Sequence, residues 1–155
     1  MTIRTLNADD AEAYQALRLR GLKEVPEAFS SDYAEEAGRL MEEMRVRVTS
    51  SPDGSLCVFG AFVGGRLVGI LTFIRSARAK IRHSGELAGM YVAPEYRRQG
   101  LAGALIDSAV AHARSLPGMR QLKLGVGATN TPAQELYASR GFISFGVEPE
   151  AICVD

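Results

Sequence analysis

The stretch Val92-Ala93-Pro94-Glu95-Tyr96-Arg97-Arg98-Gln99-Gly100-Leu101-Ala102-Gly103 decides how this chain is organised. Before it, Gly85-Glu86-Leu87-Ala88-Gly89-Met90-Tyr91-Val92 reads as a strand, which Pro94 breaks because it has no N–H to give to a sheet. After it, Leu101, Leu105, Ile106, Ala109 and Ala113 recur at helical spacing, predicting a long helix from near Gly100 to just before Pro117-Gly118. A strand that passes through small residues into a helix start is a cradle for an anion. The first N–H groups of a helix lack intrahelical partners, and the macrodipole adds partial positive charge there. Gly100, Ala102 and Gly103 offer no bulky side chain to block a diphosphate, while Arg97 and Arg98 add formal charge. Arginines at a helix start oppose the dipole, and that misfit favours an anionic ligand over a merely solvated surface. No Lys-Ser/Thr pair follows the glycines, so the loop is not a P-loop. Gly125-Val126-Gly127-Ala128-Thr129-Asn130 lacks the third glycine of a dinucleotide fingerprint.

Working outward, Leu56 to Val63 and Leu67 to Ile74 read as two strands joined by a tight turn at Gly64-Gly65. Ile3-Arg4-Thr5-Leu6 reads as a short first strand, and Asn7 or Asp9 can cap the helix that follows. The apolar stripe of that helix is Ala13, Leu17 and Leu22, flanked by Ala16 and Leu19, and Pro26 stops it. Ser30 and Ser31 can cap a second helix through Ala34, Ala37, Leu40, Met41 and Met44 to about Val48. Downstream, Gln121 to Val126 reads as a strand and Asn130 to Arg140 as a helix closed by Gly141, after which Phe142-Ile143-Ser144-Phe145 opens another strand. A hairpin run beside strand–helix units predicts an α/β (α+β mixed) fold: one domain over residues 1–155, with a mixed sheet and helices on both faces.

A chain of 155 residues has room for one sizeable core. Hydrophobic residues at 46% and charged residues at 23% are ordinary for a soluble domain. Zero formal net charge provides no overall field to hold nucleic acid or an anionic membrane, and neither is expected as a partner. Apolar runs are far short of a membrane span, and the N-terminus has no charged region followed by a long apolar stretch, so a cytoplasmic location is expected. Cys57 and Cys153 have no metal-ligand or CxxC spacing and read as buried or half-buried thiols in a reducing compartment. His83 and His112 have no partner motif, so no metal is expected.

Two motifs in this frame resemble one family. Arg97-Arg98-Gln99-Gly100-Leu101-Ala102 matches the Q/R-x-x-G-x-G/A signature of the GNAT acetyltransferase superfamily. Asn130-Thr131-Pro132-Ala133-Gln134-Glu135-Leu136-Tyr137-Ala138-Ser139-Arg140-Gly141-Phe142 matches its second signature, N-x-x-A-x-x-L-Y-x-x-x-G-F. Together and in this order they form a specific signal, although both lie in the second half of the chain. The resemblance implies a central, mostly antiparallel sheet in which two adjacent parallel strands, here those through Met90 and Leu124, splay to admit an acyl-pantetheine. It implies acetyl-CoA as cosubstrate and an amine as acceptor. Met90, Tyr91 and Val92 would pair with the pantetheine arm, with Val92 backbone near the acetyl carbonyl. Arg97, Arg98, Gln99, Gly100, Leu101, Ala102 and Gly103 would hold the pyrophosphate. Asn130 would bond the pantetheine or neighbouring backbone. Tyr137 would sit near the thioester sulfur and serve as general acid. The function implied is N-acetyl transfer by direct attack; the alternative is a non-catalytic acyl-CoA sensor or partner subunit.

Several residues carry a second reading beside this one. Tyr137 also fits a core aromatic, and Asn130 a plain helix cap. Glu86 stands four residues before Met90, where histone-type members of the superfamily place a general-base glutamate; a solvated carboxylate, with proton relay through water, is the alternative. Burial against Leu87 and Met90 would raise its pKa and make it a better base. Phe29, Tyr33, Glu35 and Glu36 lie where the superfamily builds its acceptor wall, or on an exposed helix face. Arg75, Arg78, Lys80, Arg82 and His83 read as a solvated basic loop. A second copy of the chain is a candidate partner. The superfamily ends on a last strand pair, and Ala151-Ile152-Cys153-Val154-Asp155 reads as the start of a final strand that is cut short.

Overall fold

A computed structural model describes residues 1–154. Its five-stranded sheet has the order β1-β2-β3-β4-β5, with β1 at Thr2–Thr5, β2 at Leu56–Val63, β3 at Arg66–Arg75, β4 at Ser84–Val92 and β5 at Gln121–Lys123. The first four strands pair antiparallel and β5 lies parallel to β4. This is the mixed, mostly antiparallel sheet that the sequence predicts. Gly64 and Gly65 make the β2–β3 turn with φ of +57° and +77°, the left-handed conformation a tight hairpin requires.

Helices cover both faces. On one, α1 (Ala11–Glu24) and α3 (Met41–Val48) bury Tyr14, Leu17, Leu22, Met44 and Val48 against Val58, Ile70 and Tyr91. On the other, α4 (Leu101–Ser115) buries Leu101, Leu105, Ile106, Ala109 and Ala113 against Phe59, Leu71, Phe73 and Leu87, and the half-buried Leu136 and Tyr137 of α5 (Thr131–Ser139) pack there too. Phe73, Leu105 and Ile106 are fully enclosed. Burial of such a side chain contributes roughly 1.5–3 kcal/mol.

The differences from the sequence reading have local causes. The stripe of α1 is rotated: Ala13 and Ala16 are exposed, and the inward series is Tyr14, Leu17, Gly21 and Leu22. The second predicted helix is two, α2 (Tyr33–Ala37) and α3, parted at Gly38. Asp32, not Ser30 or Ser31, caps α2 by accepting from Ala34 and Glu35 N–H, and Ala34, Ala37 and Leu40 are exposed. The strand predicted to Val126 stops at Lys123. Phe142–Phe145 forms no strand, and neither do residues 151–154, the described part of the predicted final strand. No neighbouring strand takes up the backbone N–H and C=O groups of either segment, and an isolated strand leaves them without partners. Cys57 is buried, as read, but Cys153 is exposed.

Candidate active site

The strand–loop–helix segment has the form its residues dictate. Gly100 caps α4 in the left-handed conformation (φ +79°, ψ +9°), and Arg98 also has a positive φ of +61°. No side chain caps the helix and no acidic residue occupies its first turn. Ala104 N–H is the first to reach a carbonyl of the turn, that of Gly100 at 3.0 Å. The N–H groups of Leu101, Ala102 and Gly103 therefore have no carbonyl of their own helix to bond. Arg98, Gln99 and Gly100 are exposed beside them.

Two residues of this loop make contacts that their pattern does not announce. Arg97 is folded back: its Nε donates to the Val92 carbonyl at 2.9 Å, and its guanidinium lies 5.7 Å from the Tyr91 ring centre. Gly103 is buried, and a Cβ there would stand 2.1 Å from Nη2 of Arg140. The missing side chain at Gly103 thus makes room for Arg140, whereas at Gly100 a Cβ would meet nothing and the positive φ is what calls for glycine. Arg140 reaches Asp107 on α4 at 3.4 Å across the exposed surface between the two helices.

β4 carries the second feature. Its pairing with β5 runs only from Ser84↔Gln121 to Glu86↔Lys123, so the edge from Leu87 to Val92 has no strand beside it. The other edge stays paired to β3, with one extra residue on β4 between the pairs Thr72↔Ala88 and Ile70↔Tyr91. Gly89, at φ +62°, makes this bulge. Met90 is half-buried beside it, and Val92 is buried in the α4-side core. The Tyr91 phenol turns to the other face and donates to Glu24. Burial, then the bond to Glu24, pushes this phenol up to about 12, and the same bond heads the causes that lower Glu24. Glu24 also pairs with Arg20 at 2.9 Å, and Arg20 with Glu95 at 2.7 Å. The end of α1 is thereby tied to the loop that leads into α4.

Glu86 sits at the last paired position, where β4 and β5 part, and it is exposed. The expected burial against Leu87 and Met90 does not occur, because Leu87 points to the opposite face of the strand and into the α4-side core.

Asn130 caps α5, its Oδ1 accepting from Ala133 N–H at 3.2 Å. Tyr137 stands edge-on to Phe142, with ring centres 5.9 Å apart, in the same cluster as Met90, Val92 and Leu101. Its hydroxyl has no hydrogen-bond partner among the described residues, and burial pushes it up to about 12.

The segment between α1 and α3 differs most from its reading. Phe29 is buried and packs on Tyr91, while Tyr33 is partly exposed, with Lys23 Nζ 5.3 Å from its ring centre. Glu35 is exposed. Glu36, only 2% exposed, receives Arg47 at 2.7 Å and Arg18 and Arg39 at 3.2 Å each, so it has no oxygen left over for an acceptor's ammonium. Burial pushes its carboxyl up, but hydrogen bonds from Arg47 and Arg39 outweigh that and hold it below the usual range. Arg18 escaped the sequence reading. Its signal was there: it occupies an inward place in the series Tyr14, Leu17, Arg18, Gly21, Leu22, where only a partnered charge can be accommodated. In the basic loop, Arg75 bonds the carbonyls of Arg82 and Pro117 and is structural. His112 lies 2.8 Å from the Gly54 carbonyl and 3.4 Å from Cys57 Sγ. No group of three or more His, Cys, Asp or Glu that could hold a metal occurs among the described residues, and no helix there is long and apolar enough to cross a membrane.

The comparisons with known proteins agree with this geometry. Mycothiol acetyltransferase of Thermobispora bispora is 33% identical over 141 residues, covering 90% of this chain and 45% of that protein. The chain spans about half the length of the curated relatives it matches. A GNAT-family acetyltransferase from Streptococcus pneumoniae superposes with a TM-score of 0.85 at 26% identity, over 99% of this chain and 90% of that one. Ribosomal-protein-alanine N-acetyltransferase from Brucella melitensis superposes with a TM-score of 0.73 at 26% identity, over 94% and 86%. The sequence profile of the acetyltransferase (GNAT) family matches residues 20–142, from within α1 through α4 to the end of the second signature, and the chain belongs to that family.

Proposed function

We propose that this chain transfers the acetyl group of acetyl-CoA to a primary amine of a small molecule or protein by direct attack. The observation that carries the reading is the opening of β4 from β5 beyond Glu86, with the uncapped start of α4 at the far end of the opened edge. The edge of Met90, Tyr91 and Val92, which no strand pairs and where Arg97 Nε meets the Val92 carbonyl, suits the amide groups of a pantetheine arm, as a strand edge suits any extended amide chain. The N–H groups of Leu101, Ala102 and Gly103, with Arg98 and Gln99 exposed beside them, suit the pyrophosphate. Asn130 is already engaged as a cap, so its part is to set the start of α5.

In the reaction the neutral amine forms a C–N bond at the thioester carbonyl, the C–S bond breaks, and the departing thiolate gains a proton. Tyr137 is the candidate donor: its hydroxyl is uncommitted and its proton stays on through neutral pH. Glu86, at the mouth of the opened strands, is placed to take the proton the amine must lose, directly or through water.

Mixing the protein with acetyl-CoA and a panel of amines, and following free thiol and acetylated amine together, tests the proposal. Equal amounts of both products support it. Coenzyme binding without turnover on any amine would point to an acyl-CoA sensor or partner subunit instead.

A further inference from the structure

The amine-transfer reading leaves open what else the acceptor carries, and Arg18 bears on that. Its side chain is withdrawn from water, at 12% exposure, and two of its three nitrogens are spoken for: Nε donates to Glu36 at 3.2 Å and Nη2 to Ser31 Oγ at 3.0 Å. The guanidinium carbon lies over the Phe29 ring, 5.4 Å from its centre. Nη1 has no hydrogen-bond partner among the described residues, and no buried side-chain nitrogen or oxygen lacks one, so Nη1 still reaches solvent. It lies 3.2 Å from where a Cβ on Gly89 would be, at the bulge of β4. A Cβ there would press on the guanidinium, and the positive φ of Gly89 disfavours one in any case.

Charge around the guanidinium is not balanced. Glu36 is one carboxylate shared by Arg18, Arg39 and Arg47, and although Glu43 also meets Arg39, at 3.6 Å, it does so on the exposed side. Within this cluster three arginines meet two carboxylates, which leaves one positive charge in excess. A pre-oriented, half-desolvated guanidinium edge favours a planar anion and repels a second cation.

Resting on the proposed amine transfer, we infer that Arg18 at the Gly89 bulge receives a carboxylate of the acceptor, so that the preferred acceptor is an amine that also bears a carboxylate, not a polycation. Glu86 and Ala88 share the sheet face that Tyr91 regains after the bulge, which is the face α1 covers, so Arg18 and Glu86 lie on the same side of the sheet.

The test uses the intact protein and matched ligands: L-amino acids against their amides, with spermidine and kanamycin as polycations. Transfer rates are read with acetyl-CoA. Binding of the N-acetylated acids and amides is read separately by ligand-observed NMR, which needs no turnover. The expected result is a preference for the carboxylate member of about tenfold or more in kcat/KM or in affinity, falling to near unity in Arg18→Gln. If that variant fails to fold, the wild-type preference and Arg18→Lys, which keeps the charge but loses the fork, decide the matter. Equal handling of acid and amide, preference for spermidine or kanamycin, or binding of neither member overturns the inference. A carboxylate preference in binding without transfer to any amine would uphold it and remove the amine-transfer reading alone.

Discussion

Gly103 and Arg140 are in direct contact: a Cβ on the glycine would fall 2.1 Å from Nη2 of the arginine. One residue directly follows the loop signature and the other belongs to the helix signature, so the start of α4 meets the end of α5. The two glycines at the start of α4 consequently divide by role. Gly103 makes room for α5, while Gly100 holds a left-handed cap.

That division predicts unequal costs. Gly100→Ala forces an L side chain into the left-handed region and should destabilise by roughly 1–2 kcal/mol. Gly103→Ala should leave stability within about 1 kcal/mol of wild type, because helix propensity gains roughly 0.8–1 kcal/mol while the flexible Arg140 end swings aside. Urea titrations of both variants check this; equal losses would contradict it.

Glu36 should matter more to folding than to chemistry. Glu36→Gln leaves Arg18 withdrawn from water without its counter-charge, and breaking such a buried pair costs about 3–5 kcal/mol. The carboxyl is held below the usual range in the fold, so the unfolded chain binds its proton more readily. Its contribution is therefore present above the ordinary carboxylate range and lost as pH falls through the folded value. Thermal melts across acidic pH should show a steeper decline in wild type than in the variant; parallel curves would remove Glu36 from the account.

Tyr137→Phe should slow transfer by about 10²–10⁴-fold if the phenol protonates the thiolate, with coenzyme affinity little changed. With its pKa up at about 12, the phenol should contribute no alkaline limb to the rate below that range. An unchanged turnover number with a verified acceptor would reduce Tyr137 to packing against Phe142.

Glu86→Gln should lower the acidic limb of the pH–rate profile and spare coenzyme binding. The amide of glutamine cannot take the proton that the amine must lose. Superimposable profiles for the two forms would favour relay through water.

Much of this architecture is legible in the sequence, because periodicity and punctuation set it locally. The stripe of α4, the Gly64-Gly65 turn and the break at Pro94 each follow from a few neighbouring residues. The end of β5 at Lys123 does not, because nothing local in Leu124-Gly125-Val126 says that β4 turns away. The cluster on Glu36 was hidden for the same reason. Its arginines come from two helices and the loop between α2 and α3, eighteen residues back, eleven ahead and three ahead, and a lone glutamate on a short helix reads as solvated until they converge. The charge of Arg97 is legible in the sequence, while the bond of its Nε to the Val92 carbonyl is a matter of rotamer.

The most direct test of the central claim is calorimetric titration of acetyl-CoA into wild type and Gly100→Val, with helix content verified by circular dichroism. The loop from Arg97 to Gly103, at the end of the opened edge of β4, is assigned to the pyrophosphate. Wild type should therefore bind with a single site per chain, and the folded variant should show no measurable heat. Undiminished affinity in folded Gly100→Val would contradict that assignment.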